Sequence, residues 1–449
     1  MNAREFEKKY KLSLDSIRPA ISQFAPKDDS TLNSIAGKPK KLLVEIIKRF
    51  FTNWVAVAAL IVFITILVIS IFVTETAKYS ATKPLYNSVG IWTINPQTMQ
   101  VGKYIDSSTS NIIGLPPMSS PWYPAQGHID NYETLINTWA SRDYYGGVLW
   151  RDFIYFGENN PANAIKIVDI SDSTNKVLVN AYVFNKVQNI GIALEKSQID
   201  PSVSAEKARQ YIQAILNHNP QFSLSTYLGT NQAGVDIWTQ SWVGTWEAIK
   251  LALIVATIQT IIGVAIGAYL GFHVGTWIDT TIMRLIDIFM APPTMIWLLI
   301  FAATFGTSNL TLGIALVFIG WVRSVGSTRM FIITVKDQEY ITASQSIGAS
   351  KARLIYKHAL PAIIGKISTS FVASIPSIIM QISSLAFLGF FKSDSANLGT
   401  ILSNAASQAG DNAFILILPA SILLLISVSL HFVALGVHDA LDPKVIKTR

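Results

Sequence analysis

The sequence predicts an all-α membrane protein of six transmembrane helices, with a folded α+β domain inserted between the first and the second. Three observations carry that prediction. Half of the 449 residues are hydrophobic and only 14% are charged, against ~25% charged in an ordinary soluble domain. The apolar residues gather in uncharged runs of the ~20 residues needed to cross a ~30 Å hydrocarbon layer. One long stretch of mixed polarity, residues 75–226, separates the first run from the others. The chain has no cysteine, which excludes disulfides, thiolate metal sites and thiol nucleophiles. Its net charge of +7 needs no nucleic acid partner, because the basic residues flank hydrophobic runs, where they set orientation in the bilayer.

Residues 1–49 form a tail with eleven Lys and Arg side chains. Phe50 to Thr74 is the first span, and the polar residues before it and its length exclude a cleaved signal peptide. Within 75–226, the segments Ala164 to Ile170, Lys176 to Phe184 and Val187 to Leu194 are rich in Val and Ile and predict strands. Ser204, then Glu206, Lys207 and Arg209, then Tyr211, Ile212 and Ile215, predict a capped amphipathic helix. Trp92, Trp122, Trp139 and Trp150 offer apolar material for a core. Residues 227–437 hold the other spans. These are Leu251 to Ile278, the run Ile288 to Val322 divided in two at Gly306-Thr307-Ser308-Asn309, Ile367 to Phe391, and Asn412 to Val437. Pro292, Pro293 and Pro376 should bend spans 3 and 5. Trp238, Trp242 and Trp246, four residues apart, predict an aromatic belt at the outer interface. Residues 438–449 are the C-terminal tail.

Orientation follows from the short loops. The segment between spans 4 and 5 carries Arg323, Arg329, Lys336, Lys351, Arg353, Lys357 and Lys366, the turn between spans 3 and 4 carries no basic residue, and that between 5 and 6 only Lys392. Both tails are therefore expected in the cytoplasm and residues 75–226 outside a plasma membrane.

Several chemistries are missing. No Gly-x-x-x-x-Gly-Lys-Ser/Thr sequence occurs, so no P-loop binds ATP on this chain. No nucleophile elbow, His-Glu-x-x-His or acidic calcium loop marks the outer region as an enzyme. Midmembrane carboxylates of the kind ion-coupled carriers use are not visible. Arg284 and Asp287, three apart at the inner end of span 3, are expected to pair on one helix face as an interface pair. Gly263, Gly267, Gly271 and Gly275 recur every fourth residue along span 2 and predict a groove for helix packing.

The most informative segment is the cytoplasmic loop at 330–362. Glu339, Tyr340, Thr342, Ala343, Ser344, Gly348, Ala349 and Ser350 precede His358-Ala359-Leu360-Pro361. Small residues let another protein's backbone come close, Gly348 permits a turn closed to other residues, and Ser350 can cap the helix that follows. Pro361 is expected to end that helix. The plain alternative is an ordinary loop of small polar residues, with His358 a packed or solvated side chain.

This pattern resembles the coupling loop of ABC importer permeases, in which Glu-Ala-Ala is followed after three residues by Gly and later by Leu-Pro. Thr342, Ala343 and Ser344 stand in the first three positions, with Thr in place of the usual Glu and Ser in place of the second Ala. Other segments are similar to the C-type permease subunit of oligopeptide, dipeptide and nickel importers. They are Leu228-Gly229-Thr230-Asn231-Gln232-Ala233-Gly234-Val235-Asp236, Asp279 with Arg284 and Asp287, Trp321 with Arg329, Phe387-Leu388-Gly389, and Asp439-Ala440-Leu441-Asp442-Pro443-Lys444. Asn231 and Val235 depart from the family's Asp and Arg.

The resemblance implies one of two unlike permease subunits, working by alternating access with two separate ATP-binding subunits and an extracellular substrate-binding protein. ATP and Mg would sit on those ATPase subunits and no cofactor or metal on this chain. Peptide is the implied substrate, with nickel or another small solute as the alternative. A secondary transporter or channel that needs no ATPase is the competing class, and a membrane-anchored receptor with one or two spans a third. The resemblance does not reach residues 75–226, for which docking of the binding protein and simple stabilisation of the outer loops are the two expectations.

Overall fold

The computed structural model describes residues 42–85, 91–105, 114–124, 143–154, 164–168, 176–218, 224–389, 397–410 and 412–441. The basic tail up to residue 41, Trp139, Lys392 and Asp442-Pro443-Lys444 lie outside the described residues. Residues 1–53 and 54–449 form two units. In the first, helix α1 (Leu42–Thr52) stops where the Asn53 N–H donates to the Phe50 carbonyl at 3.1 Å.

In the second unit, α2 (Trp54–Thr76) is an uninterrupted apolar helix. An α+β assembly follows in sequence. Strands β1 (Ile91–Ile94) and β2 (Val101–Ile105) pair antiparallel, with Ile91 opposite Ile105. Strands β3 (Trp122–Pro124), β4 (Ile165–Val168) and β5 (Lys176–Asn180) form a second antiparallel sheet in the order β3-β5-β4. Helices α3 (Ala181–Lys196) and α4 (Ala205–His218) share one hydrophobic core with Leu85, Ile94, Leu149 and Ile154.

The strand expected at Val187 to Leu194 is instead part of α3. Asn180 ends the strand and caps the helix, its side chain accepting from the Tyr182 and Val183 N–H groups at 3.1 and 3.3 Å. Phe184, Val187, Ile190 and Leu194 are all buried, and their three- and four-residue spacing is that of a helix face. The Val and Ile content had hidden that period.

After α2, the membrane part continues with α5 (Ile237–Phe272), then α6 (Trp277–Met290), α7 (Thr294–Phe305) and α8 (Asn309–Val335). After α9 (Glu339–Ser346) come α10 (Leu360–Phe387), α11 (Leu398–Gln408) and α12 (Phe414–Leu441). Among the described residues, five continuous helical stretches are long and apolar enough to cross a membrane, and α6 with α7 makes a sixth if that pair, bent by 76°, counts as one. The chain is thus a multi-pass membrane protein. Span 3 starts at Trp277 rather than Ile288, and the bend expected from Pro292 and Pro293 is a full break. It breaks at Ala291-Pro292-Pro293, where two adjacent residues lack the N–H that would continue the ladder.

Span 2 starts at Ile237 rather than Leu251. Asp236 caps it by accepting from the Thr239 N–H at 2.9 Å and hydroxyl at 2.6 Å, and Glu247 receives the Lys250 ammonium at 2.6 Å, so the helix carries both charges without interruption. Burial pushes the Asp236 carboxyl above its ordinary value, and the bonds from Thr239 oppose that rise. Trp242, expected in an interfacial belt, is buried in the helix core beside Trp238.

α5 and α8 lie in close contact. A Cβ at Gly263 would run into Ser324, at Gly267 into the Val325 carbonyl and Thr328, and at Gly271 into Ile332. Gly275 does not join them; it lies beyond the helix in a turn with φ +82° and open space around it. Gly267→Ala should therefore destabilise the purified protein by about 1–3 kcal/mol, as overpacked contacts do. Gly326→Ala, whose Cβ would meet nothing within 4 Å, should leave thermal unfolding unchanged or shift it upward. Equal shifts for the two variants would contradict the packing.

Candidate functional site

A cavity of about 340 Å³ opens among α5, the α6–α7 break, α8 and α10. Its lining mixes apolar and aromatic side chains with uncharged polar ones. The polar part of that lining includes Arg323, Ser324, Ser327 and Thr328 beside Gly320 on α8, and Ser370, Ser374, Ser377 and Gln381 on α10. Both sets follow three- and four-residue steps, so each lies along one face of its helix. Gln259 of α5 is buried and donates to the Leu316 carbonyl at 2.7 Å, lying over Gly320, where any side chain would collide with its amide.

The break in span 3 forms an aromatic wall. Phe289 stacks on Trp297 with ring centres 4.9 Å apart and planes 10° from parallel. The indole N–H of Trp297 donates to the Phe289 carbonyl at 3.1 Å, satisfying a carbonyl at the end of α6. Phe318 meets Phe289 edge-on from α8.

Asp279 and Arg329 join α6 to α8. The guanidinium binds both carboxylate oxygens, at 2.7 and 2.8 Å, and the Gly275 N–H adds a bond at 3.2 Å. Thr276 caps α6 by accepting from the Asp279 N–H at 3.4 Å. The expected pair Arg284–Asp287 does not form: both side chains are exposed, and among the described residues they make no ion pair with each other. Helical spacing brought them to one face, but neither is shielded from solvent enough to hold the other. A second correction concerns Arg323 and Arg329, read from sequence as loop cations. Both lie inside α8, which runs on to Val335.

The coupling segment is a short exposed helix followed by a tight turn. Glu339, Tyr340, Thr342, Ala343, Gly348 and Ser350 are exposed, and Ser344 and Ala349 partly so. Ile341 is fully buried against Ile332, Leu354, Ile355 and Ile363 and anchors the helix. Gly348 has φ +88° and donates to the Gln345 carbonyl at 2.9 Å, while the Ala349 N–H donates to Ser344 at 3.1 Å. This is a left-handed helix stop that glycine adopts without strain. Ser350 then accepts from the Arg353 N–H at 3.4 Å and starts the next helical turn. Pro361 does not end that helix. A π turn at Leu354–Ala359 widens the backbone, and Leu360 and Pro361 begin α10.

The segment Leu228 to Asp236 ties the α+β part to the membrane helices. The Thr230 N–H donates to the Leu115 carbonyl at 2.8 Å, and the Leu115 N–H donates to the Thr230 hydroxyl at 2.7 Å. On the other side, Asn412 donates to the Leu228 carbonyl at 2.8 Å. Gly229, at φ +84°, lies where a side chain would strike Leu115 and Pro116.

Two features escape sequence reading. Ile347, 87% exposed at the tip of the coupling segment, looks in the sequence like any other core isoleucine. The cavity stripes were signalled by polar residues at helical spacing, but spacing alone does not say which face is lined.

Two family models match the chain. Residues 263–447 match the binding-protein-dependent transport system inner membrane component, and residues 41–90 match the N-terminal transmembrane domain of oligopeptide transport permease C. Both matches agree with the resemblance to importer permeases, and the first of them spans the segment at 339–361. Among curated proteins, the oligopeptide transport system permease protein OppC of Mycoplasma pneumoniae is 39% identical over 226 residues, covering 49% of this chain and 60% of that protein. The protein of the same name from Mycoplasma genitalium is 36% identical with the same coverage. That of Bacillus subtilis is 29% identical over 38% of this chain and 56% of its own length. The matched part thus spans somewhat over half the length of these relatives. A crystal structure of an amino acid ABC transporter with histidines aligns at 15% identity and TM-score 0.35, over 44% of this chain and 92% of that one; so loose a likeness carries no argument.

Removing Asp279 should strand the Arg329 guanidinium, 18% exposed, between two helices. Asp279→Ala should cost about 3–5 kcal/mol of stability, and Asp279→Ala with Arg329→Met clearly less. A double variant as unstable as the sum of the two single ones in thermal unfolding would contradict this coupling.

Proposed function

We propose that this chain, whose residues 263–447 match the inner membrane component of binding-protein-dependent transport systems, is a permease subunit of an ATP-driven importer of oligopeptides. The observation that carries the reading is the exposed, glycine-terminated helix at 339–348, rooted by Ile341 in the same cluster as Ile332 of α8 and Ile363 and Ile367 of α10. A protein that grips this helix from outside pushes directly on the two helices that line the cavity. The ATP and Mg that drive such a push are bound by two partner ATPase subunits, and the present chain catalyses nothing. A second, unlike permease closes the other half of the pathway, and an extracellular binding protein delivers the peptide. The names of the relatives support oligopeptides.

A secondary carrier is favoured less, because no carboxylate lines the cavity among the described residues and proton relays in carriers are built from such groups. In our reading both tails are cytoplasmic, and residues 75–226 stand outside as a docking module for the binding protein. The surviving loop cations Lys336, Lys351 and Arg353 support that orientation.

Ala343→Trp should overpack the docking contact, and Gly348→Val should strain the left-handed turn. Each should lower peptide uptake several-fold while the chain still inserts. Wild-type uptake and ATPase association in both variants would refute the docking role. Because the chain has no cysteine, Lys351→Cys and Lys207→Cys report orientation. An impermeant thiol reagent on intact cells should label position 207 and spare 351, and the reverse pattern would overturn the topology.

A further inference from the structure

We propose that Arg323 is an anion subsite within the cavity and holds a carboxylate of the transported solute. The proposal rests on the importer reading above and deepens it. Arg323 stands near the middle of the 27-residue α8 and lines the cavity. Among the described residues it is the cavity's one charged lining residue, and its guanidinium makes no ion pair and no hydrogen bond. Arg329, farther along the same helix, offers the contrast, since both ends of its fork are taken by Asp279.

A cation within a membrane helix is costly unless it faces a wet cavity or a partner, and such residues mark solute pathways. The planar guanidinium presents parallel N–H donors matched to the two oxygens of a carboxylate, and this pairing is stronger than hydrogen bonds between neutral groups. The same cavity is lined by Ser324, Ser327, Ser374 and Gln381, donors and acceptors suited to peptide amides. A peptide carries that combination of groups at its C-terminal end. On this subunit's side the cavity measures about 340 Å³, at the low end of small-molecule pockets, ~300–1,000 Å³, and it accommodates the C-terminal end of a peptide. The same chemistry could come from a carboxylate of the second permease subunit, and the experiment separates the two sources.

The test uses the full importer, with its ATPase subunits and binding protein, reconstituted in vesicles. Uptake of labelled trialanine is compared with that of trialanine amide for the wild type, Arg323→Gln and Arg323→Lys. Because one binding protein serves all three, a change in the ratio belongs to Arg323. Arg323→Gln should raise KM for trialanine about ten- to a hundredfold, the range of a lost charge-assisted hydrogen bond, and leave that for the amide unchanged. Arg323→Lys, which keeps the charge without the fork, should fall between. Equal effects on both peptides, or none, would overturn the subsite. So would loss of the second permease from the purified Arg323→Gln complex, which would assign Arg323 to the subunit interface. A wild-type importer that moves neither peptide, though assembled, would instead refute the peptide reading and the subsite with it.

Discussion

The close approach of α5 and α8 is the constraint on which the rest of the membrane part depends. Three glycines remove the side chains that would hold the helices apart, so Ser324, Val325, Thr328 and Ile332 rest against the α5 backbone. Small residues at such a seam maximise van der Waals contact, which must replace the hydrophobic effect inside a bilayer. Once that seam is fixed, the rotation of α8 is fixed too. Arg329 then reaches Asp279 on α6, Gln259 crosses to the Leu316 carbonyl, and Arg323 and Ser327 turn toward the cavity.

The second element is the double-proline break. A continuous helix in place of α6 and α7 would have kept Phe289 and Trp297 on one straight rod. The bend instead folds them face to face, with the indole N–H closing on the Phe289 carbonyl. Polar backbone at membrane depth is tolerated where it is buried in protein or lines a cavity, and both Pro292 and Thr294 are lining residues. The break therefore shapes the cavity and satisfies part of the backbone it frees.

Much of this was legible in the sequence, for physical reasons. Helix periods survive in glycine and proline positions, so the Gly263–Gly271 repeat, the Pro292-Pro293 bend and the Gly348 turn could be read directly. Lengths were less secure. Arg323 and Arg329 were assigned to a loop because a charge ordinarily ends a span, whereas here one is neutralised by Asp279 and the other faces a cavity. Arg284 and Asp287 had the right spacing to pair, but spacing says nothing of exposure, and the acid that does pair with an arginine is Asp279, fifty positions earlier in the chain than its partner. Pro361 reads as a stop but is not one, since a sequence does not announce the π turn that accommodates it. The helix Ala181–Lys196 was misread because β-branched residues lower helix propensity only slightly, while a well-placed Asn180 cap and a buried face outweigh that.

We propose that force enters through the segment ending at Gly348 and reaches the cavity through α8 and α10. Site-directed crosslinking from Ile347→Cys, at the exposed tip of that segment, tests it most directly, with Leu310→Cys, 75% exposed at the opposite end of α8, as the control. In purified complexes a bifunctional reagent should join position 347 to an ATP-binding subunit, with a yield that changes when ATP is added, and should leave position 310 free of that subunit. No adduct at position 347, or equal adducts at both positions, would contradict the claim.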